Sequence, residues 1–132
     1  MQKILIIDED RTMVYLLRTL LEMEGFEVAE VQDWKSIVET IRVERPDVVL
    51  MDYFLPDIDS LEVLSQLRAA PDLAGIRIVN SSGMDVSDQC IDAGADAFLL
   101  KPYTPEQLIK VLRDIIGEDG ATEMASSPPE EK

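Results

Sequence analysis

The chain has 132 residues, of which 46% are hydrophobic and 30% charged, so we expect one folded domain rather than a disordered chain. Its 27 Asp and Glu residues outnumber 12 Lys and Arg residues, and the net charge of −15 argues against binding nucleic acid or an anionic membrane. Histidine is absent, which excludes His-based metal sites and triads and leaves any imidazole chemistry to a partner. The single cysteine permits no internal disulfide, and with neither a leader nor a membrane-length apolar run the sequence predicts a cytoplasmic protein.

Short apolar runs of strand length alternate along the chain with longer segments of helical period. This alternation is typical of a parallel sheet covered by helices on both faces. The predicted strands are Lys3–Ile7, Glu27–Val31, Asp47–Met51, Arg77–Ser81 and Asp96–Leu100. The sequence therefore predicts an α/β fold with a five-stranded parallel sheet.

The first two predicted helices have recognisable ends. Asp10 is the predicted N-cap of the first helix and Gly25 its stop. Apolar residues at helical spacing predict one buried stripe, made of Met13, Leu16, Leu17, Leu20 and Leu21. The second helix is expected to begin near Asp33 and to end before Pro46, since proline disfavours helix in the residue ahead of it.

Three further helices follow. The third carries leucines at helical spacing and is expected to end near Pro71, and the fourth is short, from about Asp85 to Ala93. The fifth has the sharpest start signal, a capping box in which Thr104 is the N-cap and Gln107 the reciprocal partner. Composition then places the end of the domain at residue 118, and residues 119–132 are predicted to be an acidic, Pro- and Ser-containing disordered tail.

Residues able to do chemistry follow the carboxyl ends of four of these strands, the edge where open parallel sheets place their sites. They are Asp8 and Glu9, Asp52, Ser81 to Gly83, and Lys101. Each group has an ordinary structural explanation as a cap, a turn residue or a surface charge. Their convergence on one edge favours a common site.

Three carboxylates brought together would repel one another. At about 4 Å and an effective dielectric of about 20, each like-charge pair costs on the order of 4 kcal/mol. Either one carboxyl keeps its proton or a divalent cation lies between them, and oxygen ligands favour Mg²⁺, with Mn²⁺ as the alternative. With the ammonium of Lys101 opposite, such a site would accept a phosphoryl group and leave Asp52 as the nucleophile.

Four segments of the sequence together resemble the receiver (response-regulator) domains of two-component signal transduction. They are IIDED (residues 6–10), VVLMDYFLPD (48–57), SSG (81–83) and AGADAFLLKPY (93–103). The resemblance implies a flavodoxin-like, doubly wound sheet of strand order 2-1-3-4-5 with helices on both faces. It further implies reversible phosphorylation of Asp52 by a histidine kinase or a histidine phosphotransfer protein, and an output through a protein partner not yet identified.

The resemblance also implies a role for individual residues. Asp8 and Glu9 match the acidic pair that holds Mg²⁺, together with Asp52 and the backbone carbonyl of Phe54. Lys101 matches the lysine that pairs with a phosphoryl oxygen. The remaining matches are the switch hydroxyl Ser82 (or Ser81) with the amide of Gly83, the switch aromatic Phe98, and Pro102, before which a cis peptide is expected.

Four features depart from the common receiver pattern. Glu9 stands where Asp is commoner, so its longer arm is expected to reach a metal through water. Ser60 stands where glycine is frequent, and the segment from Ser82 to Gly94 is short, which predicts a stunted fourth helix. Phe54 is bulky beside the nucleophile, which suggests that it shields an acyl phosphate from water.

Two other classes of function compete with a phosphoacceptor switch. One is a binding module with the receiver fold that signals without phosphate. The other is a haloacid-dehalogenase-type phosphatase, because Ile4–Thr12 also fits a motif in which Asp8 is the nucleophile and Asp10 the acid–base. That reading leaves Asp52 without a role. A receiver would not be an enzyme beyond promoting its own phosphorylation and dephosphorylation.

Overall fold

The computed structural model of the protein describes residues 2–31 and 33–124. Its strands in chain order are β1 (Lys3–Ile7), β2 (Glu27–Glu30), β3 (Val48–Asp52), β4 (Phe54–Leu55), β5 (Ile58–Asp59), β6 (Arg77–Ser82) and β7 (Ala97–Leu100). Five of them form a parallel sheet in the order β2-β1-β3-β6-β7. This is the flavodoxin-like order implied by the sequence, and the predicted fold class is confirmed.

The described residues form five α-helices, of which four connect strands and the last follows β7. They are α1 (Arg11–Met23), α2 (Ile37–Glu44), α3 (Ser60–Ala69), α4 (Ser87–Ala93) and α5 (Pro105–Met124), with a single 3₁₀ turn at Trp34–Ser36 ahead of α2. The fifth helix thus continues past residue 118, where composition placed the end of the domain. Residues 125–132 of the predicted tail lie outside the described residues, and the domain boundary stays a prediction. No helix in the described ranges is long and apolar enough to cross a membrane.

Successive side chains along a strand pack alternately into two core clusters, one on each face of the sheet. In β1, Ile4 and Ile6 pack under α1 and α5, whereas Leu5 and Ile7 pack on the opposite face under α2 and α3. All four are at most 1% exposed, as expected of a parallel strand covered on both sides. A third and much smaller cluster, made of Val86, Cys90 and Ala95, lies beneath α4.

Several predicted helix ends are confirmed by their hydrogen bonds. The carboxylate of Asp10 accepts from the backbone N–H of Met13, 3.1 Å away. At α5 the Gln107 N–H donates to the Thr104 hydroxyl (3.0 Å) and the Thr104 N–H to the Gln107 side chain (2.8 Å). Gly94 ends α4 at a φ of 119°, a conformation that glycine adopts without strain.

The predicted stripe of α1 is wrong at Leu16, which is 57% exposed. The residues that α1 buries are Val14, Leu17 and Leu21, so the buried face is rotated toward Val14. The antiparallel pair β4–β5 was not predicted from the sequence. Its turn contains Asp57 in a left-handed conformation (φ 61°), which aspartate tolerates better than most residues.

Candidate functional site

The strand register brings the predicted acidic residues together. Ile7 of β1 lies opposite Met51 of β3, so the next residues, Asp8 and Asp52, are neighbours at the carboxyl edge of the sheet. Both are almost fully buried, with exposures of 4% and 9%. Each therefore has its charge held in a region of low dielectric constant.

Lys101 joins the two carboxylates from the other side of β6. It follows β7, whose Leu100 lies opposite Ser82. Its ammonium is 3.0 Å from Asp8 Oδ2 and 3.5 Å from Asp52 Oδ2. Asp8, Asp52 and Lys101 form what we call the acidic pocket, and they lie at the carboxyl ends of three separate strands, as the sequence predicts.

The pKa values of both Asp52 and Lys101 are raised in the acidic pocket. Burial and the charge of Asp8 raise the pKa of Asp52, and Lys101 opposes this shift without cancelling it. Burial by itself lowers the pKa of Lys101. The hydrogen bond and the attraction to Asp8, with a further contribution from Asp52, outweigh burial and raise the pKa overall. One ammonium thus only partly compensates two buried carboxylates.

The two carboxylates differ in how firmly they are held. Asp8 Oδ1 accepts a 2.9 Å hydrogen bond from the backbone N–H of Asp10, while Lys101 holds Oδ2. Asp52 Oδ1 has a longer contact, 3.4 Å from the N–H of Phe54. Asp8 is therefore fixed by two close donors, whereas an oxygen of Asp52 is available for bonding to another group.

Glu9 lies apart from this pair. Its side chain is exposed and lines a cleft of about 420 Å³ together with Phe54 and Ser60. Within residues 2–31 and 33–124, no three acidic, Cys or His side chains come close enough to hold a metal ion together. Two of the three expected carboxylates converge, and the metal roles of Glu9 and of the Phe54 carbonyl stay predictions.

The pocket nevertheless has the donor set that magnesium uses. Mg²⁺ in proteins is commonly held by one or two carboxylates with water in several positions. Asp8 and Asp52 supply two buried carboxylates, and only one ammonium, that of Lys101, lies within 4 Å of them in the described part of the chain. The residues present therefore fit a magnesium ion.

Both candidate switch hydroxyls lie at the end of β6. Ser81 and Ser82 are 2% and 0% exposed. The Ser81 carbonyl accepts from the N–H of Tyr53 beside the nucleophile, whereas the Ser82 carbonyl accepts from the N–H of Lys101, each at 2.8 Å. The Ser82 hydroxyl also accepts from the N–H of Met84 (3.0 Å), which ties it to the loop that contains Gly83.

The other predicted residues lie close by. Phe98 is half-buried and packs against the small cluster beneath α4, as does Tyr53. The Lys101–Pro102 peptide bond is cis, as expected. α4 begins at Ser87, two residues later than predicted, and its seven residues make it short, as the sequence indicated.

The contacts of two residues at the site were not predicted from the sequence. The hydroxyl of Ser60, at the start of α3, donates to the carbonyl of Tyr53 and so anchors the loop that follows Asp52. Tyr103, two residues after Lys101, has a buried hydroxyl. Burial, together with the charges of Asp8 and Asp52, raises the pKa of this hydroxyl. The only indication of this in the sequence was that Tyr103 lies two residues after Lys101.

Comparison with known proteins identifies the class. The family model of the response regulator receiver domain matches residues 4–113. Response regulator MprA of Mycolicibacterium vanbaalenii is 35% identical over 130 residues, which cover 94% of this chain and 56% of that protein. The chain thus spans about half the length of the curated relatives that it matches. It belongs to the response regulator receiver domain family.

Solved structures of receiver domains have the same fold as this chain. The N-terminal domain of the nisin resistance regulator NsrR is 28% identical, with a TM-score of 0.77 over 87% of this chain and 97% of that domain. The receiver domain of the sensor histidine kinase PA1611 from Pseudomonas aeruginosa is 25% identical, with a TM-score of 0.78 over 88% and 98% of the two chains. That receiver was crystallised with magnesium in its active-site cleft. The chain is a receiver domain, the class of domain found in two-component response regulators, and the comparisons support neither competing class of function.

Proposed function

We propose that Asp52 is the phosphoacceptor and that it takes its phosphoryl group from a phosphohistidine of a histidine kinase or histidine phosphotransfer protein. The observation that carries this assignment is the convergence of Asp8 and Lys101 on Asp52, with Lys101 3.0 and 3.5 Å from the two carboxylates. The chain contains no histidine, so the donor imidazole comes from a partner. The chain acts on no other substrate and promotes only its own phosphorylation and dephosphorylation.

The transfer is a displacement at phosphorus. An oxygen of Asp52 forms the new P–O bond while the P–N bond to the donor imidazole breaks, and the electron pair of that bond stays with the imidazole nitrogen. Lys101 balances negative charge on the equatorial phosphoryl oxygens. Water later attacks the phosphorus and releases inorganic phosphate, which restores the carboxylate.

Asp8 and Asp52 would hold the metal ion, with Glu9 and the backbone carbonyl of Phe54 as further candidates. When bound, Mg²⁺ supplies the positive charge that the acidic pocket lacks; Mn²⁺ is the alternative ion. Lys101 alone leaves one negative charge uncompensated, which is why the phosphoryl group requires the cation. This requirement makes magnesium dependence a test of the site.

The signal leaves the site through the α4 side of the sheet. Ser82, with Ser81 as the alternative hydroxyl, and the Gly83 amide move onto the phosphoryl oxygens, and Phe98 follows. Phe98 already packs against the cluster of Val86, Cys90 and Ala95, so its movement changes the support of α4. The remodelled face binds an output protein, and this chain alone binds neither nucleic acid nor membrane.

The test is incubation with acetyl phosphate, a small phosphodonor, with and without Mg²⁺. Wild type is expected to gain the mass of one phosphoryl group only with the metal, whereas Asp52→Asn gains none. Asp57→Asn, which changes a nearby carboxyl outside the pocket, is the matched control and is expected to behave as wild type. Equal mass gain in Asp52→Asn and wild type would refute the assignment.

Phe54 is the proposed shield of the acyl phosphate. Phe54 is 50% exposed, and its ring lies edge-on to that of Tyr53, the residue after the nucleophile, with the ring centres 4.8 Å apart. Phe54→Ala is expected to shorten the lifetime of the phosphorylated protein several-fold, because water gains access to phosphorus. The decay of phosphoprotein after removal of the donor measures this. An unchanged lifetime would remove the shielding role.

A further inference from the structure

The side chain of Arg68 connects three segments of the chain. It lies in the last turn of α3, and its Nε and Nη2 atoms donate to the carbonyl of Gly94 at 2.9 and 2.6 Å. Nη1 donates to the carbonyls of Ala74 (2.9 Å) and Ile76 (2.6 Å), and Nη2 also donates to Asp96 Oδ2 at 2.9 Å. The planar fork of arginine suits several acceptors at once. We call Arg68 and these partner residues the arginine clamp.

The arginine clamp holds the C-terminal end of α4. Gly94 is the residue that ends this helix, and a Cβ added to it would lie 2.7 Å from Cγ of Arg68, so the two residues are in close contact. Asp96 Oδ2 also accepts from the backbone N–H of Ile78 at 2.8 Å. Because the side chain of Arg68 is only 23% exposed, little water competes for its bonds. The end of α4 is therefore tied both to α3 and to β6.

The N-terminal end of α4 is held differently. Val86 occupies the N-cap position without a side-chain hydrogen bond, and an apolar residue is a poor cap. Ahead of it, Met84 is 63% exposed, and its backbone N–H donates to the Ser82 hydroxyl at 3.0 Å. The carboxylate of Asp85 accepts from the N–H and the hydroxyl of Ser87, which adds no tie to the sheet. The hydrogen bond from this end to the sheet thus involves the first candidate for the switch hydroxyl.

The proposed switch therefore acts on one end of α4. When the Ser82 hydroxyl moves onto a phosphoryl oxygen, its hydrogen bond from Met84 changes, whereas no residue of the arginine clamp belongs to the acidic pocket. α4 has seven residues and is about 10 Å long, at a rise of about 1.5 Å per residue. A short helix that is displaced at one end and held at the other end rotates.

We propose that Arg68 is a positioning residue, and that the arginine clamp is the fixed point about which α4 turns when Asp52 is phosphorylated. The inference rests on the proposed function. It implies that the structural change is graded along α4, being largest near Val86 and smallest at Gly94. Without the clamp, the same signal would displace both ends of the helix.

The first experiment follows wild type by NMR. Beryllium fluoride with Mg²⁺, an analogue of the acyl-phosphate group, is added to the full chain, and the backbone amide signals are compared. We expect the signals of residues 84–90 to shift, while those of residues 94–96 and the Nε–H signal of Arg68 stay in place. Shifts of equal size at both ends of α4 would overturn the fixed point. This measurement decides the matter even where a variant of Arg68 does not fold.

The second experiment removes the clamp. Arg68→Met is compared with Arg42→Met, a matched control whose parent residue pairs with exposed Asp72 at 2.9 Å. In Arg68→Met the analogue is expected to shift the signals of residues 94–96 as well as those of residues 84–90. Its affinity should stay within about twofold of wild type, because the acidic pocket is intact. Arg42→Met should show the wild-type pattern. Shifts confined to residues 84–90 in Arg68→Met would overturn the role of Arg68, because a merely structural arginine affects stability and not which signals respond.

Arg68→Lys separates the fork of donors from the charge. An ammonium is a point charge that cannot serve all of these acceptors, so Arg68→Lys is expected to behave as Arg68→Met. The wild-type pattern in Arg68→Lys would show that a charge next to Asp96 is sufficient, and would overturn the clamp. Failure of wild type to bind the analogue would overturn the proposed function and the inference with it. Binding with equal shifts at both ends of α4 would overturn the inference alone.

Discussion

Two lysine–aspartate pairs of nearly equal length lie in different regions of the molecule. Lys101–Asp8 spans 3.0 Å in the acidic pocket, where the side chains are 21% and 5% exposed. Lys110–Asp114 spans 2.9 Å on the outer face of α5, where they are 75% and 63% exposed. Water screens the second pair and not the first. Burial, and not distance, separates an ion pair inside a pocket that can bind a phosphoryl group from an ion pair on the open surface of a helix.

The largest effect is expected for Lys101→Met. This change leaves Asp8 and Asp52 buried and facing each other without a cation, so it should lower the free energy of unfolding by about 3 kcal/mol at pH 7. Urea titration measures the change. The loss should shrink as the pH falls toward 3.8, the ordinary pKa of Asp52, because protonation of Asp52, whose pKa burial and the charge of Asp8 raise, removes the repulsion between the two carboxylates. A loss that does not depend on pH would argue that packing of the lysine stem is responsible.

Asp52→Asn is expected to have a smaller effect of the opposite sign. Folding raises the pKa of Asp52 above its ordinary value of 3.8, so the folded state binds a proton more tightly than the unfolded state does. Stability is therefore lost as the pH rises from 3.8 through the folded pKa, and that loss persists at pH 7.

In magnesium-free buffer Asp52→Asn should accordingly melt above wild type at pH 7, and this advantage should vanish below the ordinary pKa. Asp114→Asn, which removes an exposed carboxylate from α5, is the control and should not melt above wild type at pH 7. A lower melting temperature for Asp52→Asn at pH 7 would mean that Lys101 stabilises the charged carboxylate more than burial and Asp8 destabilise it.

The smallest effect is expected for Lys110→Met. An exposed pair at i and i+4 contributes about 0.3 kcal/mol, so the free energy of unfolding should hardly change. The small loss of stability caused by Lys110→Met should disappear in high salt, whereas the loss caused by Lys101→Met should persist. Similar losses for the two lysine variants would contradict the distinction drawn between their environments.

The sequence could predict the sheet and most of the pocket for a common reason. Fully buried strands are continuous apolar runs, and the residue that follows each run lies at the same edge of a parallel sheet. Asp8, Asp52 and Lys101 were located by this rule without knowledge of any contact. Lys101 follows β7 directly and Asp8 follows β1, while Asp52 is the last residue of β3.

Other features depend on packing that a one-dimensional pattern does not contain. The exposure of Leu16 is decided by the rotation of α1 about its axis, and Val14 takes the buried position instead. The two-residue strands β4 and β5 are too short to leave a period. The unpaired hydroxyl of Tyr103 is visible only when its neighbours in space are known.

The central claim is that the acidic pocket makes Asp52 the residue that carries phosphorus. Residue-level mapping tests it most directly: the protein is phosphorylated with acetyl phosphate and Mg²⁺, the acyl phosphate is reduced with borohydride, and the modified residue is found by peptide mass spectrometry. We expect conversion of Asp52 to homoserine and no conversion of Asp8. Conversion of Asp8 with Asp52 intact would contradict the assignment.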